Sequence, residues 1–370
     1  MDLDFTEEQE MLREMVRGLC NDVAGLAVVR EMEDDPVGYP AAFWQQLADL
    51  DLLGLLIPEE HGGSGMTMLE GVVVYEELGR SLAPSPHFPS CVLSASAVLA
   101  AGSDEQKNEL LPQIASGGAV VVPAWLEPES GFGPLGVQLR WDGDSLSGTK
   151  WHVPFAEAAS SFLVLARTGG AATDVGLFLV DRNADGVTLA QQKTIASSTQ
   201  YAVTFEAVSA EPVGALDGGW AVWHDVMLDG IILLAAQASG GAEHALDITV
   251  QYSKDRFQFG KPIGSFQSIS HYLADAVTRV DGSRTLVYEA AWARANGRDT
   301  SRLAPMAKLS ACDTFRGLTA MAQQVWGGVG FTVEYDIQLY FRRAKQLQIT
   351  WWDSRYLEDL IAESVLDQPA

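Results

Sequence analysis

The chain has 370 residues, of which 47% are hydrophobic and 20% charged, a composition typical of a folded protein with room for two or three core-bearing units. Its formal net charge of -25 argues against nonspecific binding to nucleic acid, which depends on basic surface. The three cysteines form no CxxC pair and no metal-ligand spacing, so no metal site is predicted.

The N-terminal sequence Met-Asp-Leu-Asp lacks the pattern of a signal peptide. No apolar run approaches the roughly 20 residues that a membrane-spanning helix needs, and the apolar residues 230–236 are better explained as part of a buried helix. We therefore expect a protein of the cytoplasm, or of an organelle matrix, without a membrane span.

The first third of the chain has the periodicity of helices. Thr6 and Gln9 form a capping-box pattern, and apolar residues follow at a spacing of three and four up to Leu19. The same spacing recurs over residues 43–53 and 69–78, on either side of the glycine-rich segment 61–65. Ser103 is a candidate N-cap for a further helix. This pattern predicts a helical N-terminal domain, residues 1–118.

The period of the apolar residues changes from about 3.6 to 2 near Ala119. Short segments rich in β-branched or aromatic residues then alternate with Asp/Gly turns, as expected of strands; they are residues 120–125, 137–141, 161–166, 175–180 and 201–205. Asp142-Gly143-Asp144 has the composition of a hairpin turn. We predict a central β-domain, residues 119–216.

Long helices return after about Asp217. Residues 221–254 have no strong internal stop signal and an apolar centre, which is typical of a helix inside a bundle. We predict a C-terminal helical domain, residues 217–370, and an α+β multidomain protein with the order α, β, α.

Several motifs resemble those of the acyl-CoA dehydrogenase family. The most specific covers residues 256–275 (RFQFGKPIGSFQSISHYLAD), and a second covers residues 324–332 (QVWGGVGFT). Weaker ones are residues 57–63 (IPEEHGG), 76–79 (EELG) and 342–345 (RRAK). The resemblance spans nearly the whole chain. It implies a helical N-terminal domain, a central β-barrel domain, a C-terminal four-helix bundle, and FAD-dependent α,β-desaturation of an acyl-CoA thioester.

The motifs that match the adenosine half of the family's FAD site are intact. By resemblance, Arg256 reaches the FAD of a neighbouring subunit, where a guanidinium suits the pyrophosphate. Further positions implied to line this half, including a turn whose glycines let backbone approach the dinucleotide, are Gln258, Phe259, Phe266, Gln267, Gln324, Gly327 and Gly328.

The motif that holds the flavin half departs from the family pattern Thr-Glu-Pro-x-x-Gly-Ser-Asp. Leu126 replaces the threonine and Phe132 the serine, whereas Glu127-Pro128 is kept. Each lost hydroxyl leaves a partner group unpaired, at a cost of about 1–3 kcal/mol. Trp151 resembles the family tryptophan beside the isoalloxazine, but an aromatic residue of the core explains it equally well.

The usual catalytic glutamate is also missing. Trp351 occupies its position, and Gly230 occupies the alternative position that some family members use. A base must lie within hydrogen-bond reach of the substrate α-carbon. The nearest acids in sequence are Asp229 and Asp353. They are candidate bases, but roles as solvated or capping carboxylates explain them better.

Three hypotheses follow. The first is a subunit of a heteromeric α2β2 dehydrogenase, which lends the adenosine half of the FAD site to a second, catalytic dehydrogenase-like chain and serves bulky thioesters such as those of steroid side chains. The second is a self-sufficient homotetramer that uses Asp229 or Asp353. The third is a flavin-free structural or acyl-CoA-binding subunit.

Overall fold

The computed structural model describes residues 5–196 and 198–366, in which the chain passes from helices to a sheet and back to helices. The predicted capping box on the first helix is confirmed, since the Thr6 hydroxyl accepts from the backbone N–H of Gln9 and Gln9 Oε1 accepts from that of Thr6. The N-terminal helices are α1 (Glu7–Val23), α2 (Leu26–Glu31), α3 (Ala41–Asp49), α4 (Met68–Arg80), α5 (Ala95–Ala101) and α6 (Asp104–Ala115), and a π-helical segment, Phe88–Ser94, precedes α5.

The middle of the chain forms one mixed eight-stranded sheet. Its strands are β1 (Val121–Ala124), β2 (Arg140–Trp141), β3 (Ser145–Pro154), β4 (Ser161–Arg167), β5 (Val175–Asp181), β6 (Val187–Gln192), β7 (Gln200–Ser209) and β8 (Glu211–Val213). Their order is β6-β7-β3-β2-β4-β5-β8, and β1 pairs in parallel with β4. The resemblance implied a barrel; in the part of the chain that the structure describes, the end strands β6 and β8 do not pair with each other.

Three of these strands were not predicted from the sequence. Strand β3 contains Gly148, Lys150 and His152, and its burial does not alternate, so it lacks the period of two. Strand β6 is a half-exposed edge strand with a polar end, and β8 is three residues long. Tertiary pairing, rather than local pattern, defines all three.

Five helices form the C-terminal part: α7 (Gly219–Asp255), α8 (Gln267–Ala295), α9 (Leu303–Trp326), α10 (Ile337–Ile349) and α11 (Ser354–Leu366). A two-residue hairpin, β9 (Phe257–Gln258) and β10 (Lys261–Pro262), separates α7 from α8. Helix α7 packs against α4, α8, α9 and α10. It is long and apolar enough to cross a membrane by length and composition, but 67% of its most apolar window is buried inside the fold, as in the core helix of a folded protein.

Glycines allow α4 and α7 to pack closely. A Cβ added to Gly240 would lie 1.9 Å from the carbonyl oxygen of Glu76, and one added to Gly79 would lie 2.0 Å from that of Gln237. Any larger residue at either position would therefore push the two backbones apart. This contact joins the N-terminal helices to the bundle.

The secondary structure changes from helix to strand between α6 and β1, and back to helix between β8 and α7. The division into domains of residues 1–118, 119–216 and 217–370 stays a prediction. A domain is a unit that can fold on its own, and the order of helices and strands does not test this.

Candidate active site

A cleft between the sheet and the bundle contains two adjoining cavities. We call the smaller one, of about 110 Å³, the inner cavity and the larger one, of about 420 Å³, the outer cavity. Both are lined by Leu126 and His152 from the sheet side and by Gln346 and Thr350 from the bundle side. Leu126, Phe132 and Trp151, which the sequence assigns to the flavin half of the site, line this cleft.

Aromatic side chains wall the inner cavity. Trp351 lies nearly parallel to Trp125, with ring centroids 6.3 Å apart and planes at 11°, and Phe88 meets Trp351 edge-on at 5.3 Å. Trp125 also packs against Trp223 at 5.5 Å. The residue at the family's glutamate position is therefore part of an aromatic cluster, and no Asp or Glu among the described residues lines the inner cavity.

A buried lysine fixes the turn that carries Trp351. The Nζ of Lys308 donates to the carbonyl oxygens of Leu347, Thr350 and Trp352 at 3.3, 2.9 and 2.6 Å. Trp351 and Trp352 both have positive φ, 52° and 71°, a conformation that costs a non-glycine residue about 1–2 kcal/mol. Burial lowers the pKa of Lys308. The three bonds hold this turn in its left-handed conformation.

The loop that would hold the flavin is anchored by Glu127. Its Oε1 lies 2.6 Å from Nζ of the buried Lys150 and accepts the backbone N–H groups of Gln138 and Leu139, both at 2.8 Å. Burial lowers the pKa of Lys150 to about 8, and the Glu127 carboxylate opposes this shift. The retained glutamate of the motif thus has a structural role.

The loop presents apolar groups to the cleft. Leu126 lines both cavities, and Phe132 lines the outer one and packs against Trp125 and Tyr356, each at 5.9 Å between centroids. Neither side chain donates a hydrogen bond. Leu126 and Phe132 therefore cannot supply the hydrogen bonds that the family's threonine and serine give to the flavin edge and a phosphate.

The structure places Trp151 at the outer cavity rather than in the core. Its side chain is 39% exposed, and its backbone N–H donates to the carbonyl oxygen of Leu126 at 2.9 Å. The adjacent His152 has a φ of 56° and places Nδ1 3.2 Å from Oε1 of Gln200.

The residues predicted for the adenosine half lie elsewhere, at one end of the bundle. Arg256 and Gln258 are exposed where α7 runs into the hairpin, and the Arg256 guanidinium bonds to no side chain or carbonyl of the described residues. Phe259 is 91% exposed and meets the half-buried Phe266 edge-on at 6.2 Å. Gln267, also exposed, begins α8.

The glycine-rich motif lies at the same end. Tyr252 stacks on Trp326 with centroids 4.1 Å apart and planes at 11°, and its hydroxyl donates to the Trp326 carbonyl at 3.3 Å. Arg256 follows Tyr252 by one helical turn, and the exposed Gly327 and Gly328 directly follow Trp326. Gln324, on the last turn of α9, is exposed as well. The stack therefore brings the two motifs together, and none of their residues lines the cleft.

Both candidate bases have structural partners. Asp229 Oδ1 lies 2.5 Å from Nε of Arg294, and burial raises the Asp229 pKa. Asp353 Oδ1 accepts the backbone N–H of Tyr356 at 2.9 Å, at the start of α11. Neither carboxylate lines either cavity. Their role as bases stays an untested hypothesis.

The alternative base position, Gly230, is covered. A Cβ added there would lie 2.7 Å from Leu93 and 3.3 Å from Phe88, the side chain that packs on Trp351. The backbone of α7 thus meets the aromatic cluster directly, which leaves no space for a longer side chain without a shift.

Sequence reasoning missed Arg343, which lines the inner cavity. A signal was present, because Tyr340, Arg343, Ala344 and Leu347 recur at a spacing of three and four and are all buried on one face of α10. A charged residue at an apolar position of a helix indicates a buried charge, and this pattern could have identified Arg343 as a candidate site residue.

Sequence profiles of two acyl-CoA dehydrogenase domains match this chain, the N-terminal domain at residues 6–118 and the C-terminal domain at residues 217–366. The chain is 31% identical to an acryloyl-CoA reductase (NADH) of Anaerotignum propionicum, over 99% of this chain and 96% of that protein.

Two solved structures are similar to this chain over nearly its whole length. A variant of the Tcur3481-Tcur3483 steroid ACAD has a chain that superposes with a TM-score of 0.86 at 33% identity, covering 97% of this chain and 98% of that one. A chain of the ChsE4-ChsE5 complex from Mycobacterium tuberculosis gives a TM-score of 0.90 at 27% identity, with 100% of both chains covered.

Proposed function

The chain belongs to the acyl-CoA dehydrogenase family, a family of oxidoreductases, and we propose that it is a subunit of a heteromeric, FAD-dependent acyl-CoA dehydrogenase. In this proposal it lends the adenosine half of a FAD site to a partner chain of the same family, which supplies the flavin pocket and the base.

The observation that carries the proposal is the packing of Trp351. Desaturation requires a carboxylate within hydrogen-bond reach of the substrate α-carbon, and an indole cannot accept that proton. Trp351 occupies the glutamate position and lies between Trp125 and Phe88, so the place of the base is filled by the chain's own side chains. Leu126 and Phe132 remove the polar contacts to the flavin from the same cleft.

The bundle end supports the lent half-site. FAD, when bound, supplies the hydride acceptor of the reaction. Arg256 is exposed and free to form bidentate contacts with phosphate oxygens of a FAD held mainly by the neighbour. Phe259, at 91% exposure, offers an apolar contact beside it, and Gly327 and Gly328 allow close backbone approach. These residues keep a neighbour's cofactor in place without taking part in proton transfer.

We assign acyl-CoA thioesters with bulky, steroid-like side chains as substrates of the assembled enzyme, and the cytoplasm as its location. Support for the substrate comes from the Tcur3481-Tcur3483 steroid ACAD, whose fold and 33% identity over 97% of this chain make it a near relative in both sequence and structure.

The test measures molar mass and flavin absorbance of the chain alone and after co-expression with a second acyl-CoA dehydrogenase-like chain. We expect the chain alone to be flavin-free, and the complex to contain about one flavin for every two chains, as the symmetry of a tetramer with two shared sites requires.

Two results would replace the proposal. About one flavin per chain in an active homotetramer would support the self-sufficient enzyme, and replacing Asp229 and Asp353 in turn would then identify its base. A complex without flavin would support the structural or acyl-CoA-binding subunit.

A further inference from the structure

A buried arginine in the inner cavity has no acidic partner. Arg343 is 7% exposed and lines this cavity, and none of the ion pairs among the described residues includes it. Its Nε atom is buried without a hydrogen-bond acceptor. The neighbouring Arg342, in contrast, is bonded to Glu33 at 2.5 Å. Of the two arginines of α10, Arg342 therefore binds Glu33 in the N-terminal part of the chain, and Arg343 lines the cleft.

The positive charge of Arg343 persists at neutral pH. Burial, together with Arg342 beside it, lowers the pKa of Arg343 to about 10, which still leaves the guanidinium protonated. Removing a charge from water without a partner is unfavourable. Glu33, whose charge acts in the opposite direction, is already bonded to Arg342. A counterion that enters the cavity would compensate this cost.

The rest of the cavity wall is suited to an anion with a small apolar body. Gln237 and Gln200 supply side-chain amides whose N–H groups can donate to an anion, while the Gln346 amide nitrogen already donates to Ser198. No described Asp or Glu lines the cavity, so no acidic side chain on the wall repels a carboxylate. The apolar part of the lining consists of Phe88, Trp125, Leu126, Leu234 and Trp351.

The volume limits the size of the ligand. The cavity measures about 110 Å³, and one water needs roughly 10–15 Å³ on this measure. The space therefore holds a group of several heavy atoms. It is far below the roughly 300–1,000 Å³ of pockets that take drug-sized ligands or cofactors.

We propose that this cavity is a binding site for a small monocarboxylate, whose carboxylate pairs with the Arg343 guanidinium and whose short apolar tail packs against the tryptophans. The site goes beyond the proposed function and does not depend on a partner chain or on flavin. The bidentate geometry of an arginine–carboxylate pair accounts for the preference for a carboxylate over a spherical anion.

Thermal unfolding of the full chain, in whatever assembly it purifies, tests the site with sodium butyrate and with butyramide, its uncharged analogue, at constant ionic strength. We expect butyrate to raise the Tm by at least about 2 °C at tens of millimolar in a saturable manner, whereas butyramide has no effect. No shift with butyrate, an equal shift with butyramide, or an equal shift with inorganic phosphate would overturn the proposal.

Two variants locate the effect. Arg343→Met keeps the unbranched shape and removes the charge, so we expect it to abolish the butyrate response, while Arg342→Met changes the neighbouring arginine, which does not line the cavity, and keeps the response. A butyrate shift of wild-type size in Arg343→Met would place the ligand elsewhere. Because the butyrate–butyramide comparison uses the wild-type chain, the proposal remains testable if either variant fails to fold.

Discussion

Trp351 lies nearly parallel to Trp125 across the cleft, with ring centroids 6.3 Å apart. Trp125 directly follows strand β1, and Trp351 lies in the turn after helix α10, so the pair joins the sheet to the bundle. The residue predicted to stand at the family's base position is here a packing contact between two parts of the chain.

Replacing Trp351 by alanine should lower the free energy of unfolding by about 2–4 kcal/mol, because a large aromatic contact is lost and a cavity remains. The turnover of the assembled enzyme should stay within about twofold, since the proposed heteromer takes its base from the partner chain. Denaturant unfolding and steady-state kinetics check the two parts. Trp151→Ala, at a more exposed tryptophan, is the stability control and should cost less. A large loss of kcat in an intact complex would contradict the proposal that this chain's own cleft takes no part in catalysis.

Replacing Arg256 by alanine should weaken FAD binding to the complex by about 10- to 100-fold, which corresponds to one lost charge-assisted contact with phosphate. Stability of the chain alone should hardly change, because the side chain is exposed. Flavin release measured by fluorescence gives the affinity. Lys254→Ala, an exposed cation one position before the last residue of α7, controls for general charge loss. Equal affinity in Arg256→Ala and wild type would remove Arg256 from the cofactor site.

Replacing Lys308 by methionine should cost about 2–4 kcal/mol of unfolding free energy, since three carbonyl oxygens lose their buried donor. Amide hydrogen exchange should become faster at Trp351 and Trp352, whose positive φ values depend on that anchor. The control is Lys345→Met, at an exposed position of α10, which should have little effect. Unchanged exchange in the turn would show that the tryptophan packing alone holds it.

The Lys150–Glu127 pair predicts how stability depends on pH. The folded-state pKa of Lys150, lowered to about 8 by burial, is below its value of 10.5 when unperturbed. Between these two values the unfolded chain binds more protons at this lysine, so its contribution to stability increases as the pH rises. Unfolding free energies of wild type and Lys150→Met, compared from pH 7 to 10.5, should diverge in that window. Parallel curves would mean that the lysine titrates alike in both states.

Capping residues and apolar periodicity predicted the helices whose limits depend on neighbouring residues in the sequence. The capping box of Thr6 and the unbroken apolar centre of α7 needed no tertiary information. The family resemblance implied that Arg256 and Gly327 line the same half of a FAD site, and the Tyr252–Trp326 stack explains why the structure brings them to one end of the bundle.

Other features depend on residues distant in sequence. Lys308 is buried because it reaches carbonyls 39 to 44 positions later in the chain, which no helical periodicity reveals. Strand β3 pairs with β7 through two register shifts, so its sequence shows no regular alternation. The unpaired state of Arg343 is likewise a property of the assembled cleft and not of helix α10 alone.

The stack of Tyr252 on Trp326 has a consequence for how this chain can change over time. It ties both adenosine-half motifs to the ends of α7 and α9, with no contribution from the residues that line the cleft. If the bundle end binds a neighbour's cofactor as proposed, substitutions in the cleft would leave that contribution unchanged, and the two sites could change independently in evolution. A chain whose cofactor-binding residues lie apart from its cleft can lose its own catalytic activity and still be required by a partner chain.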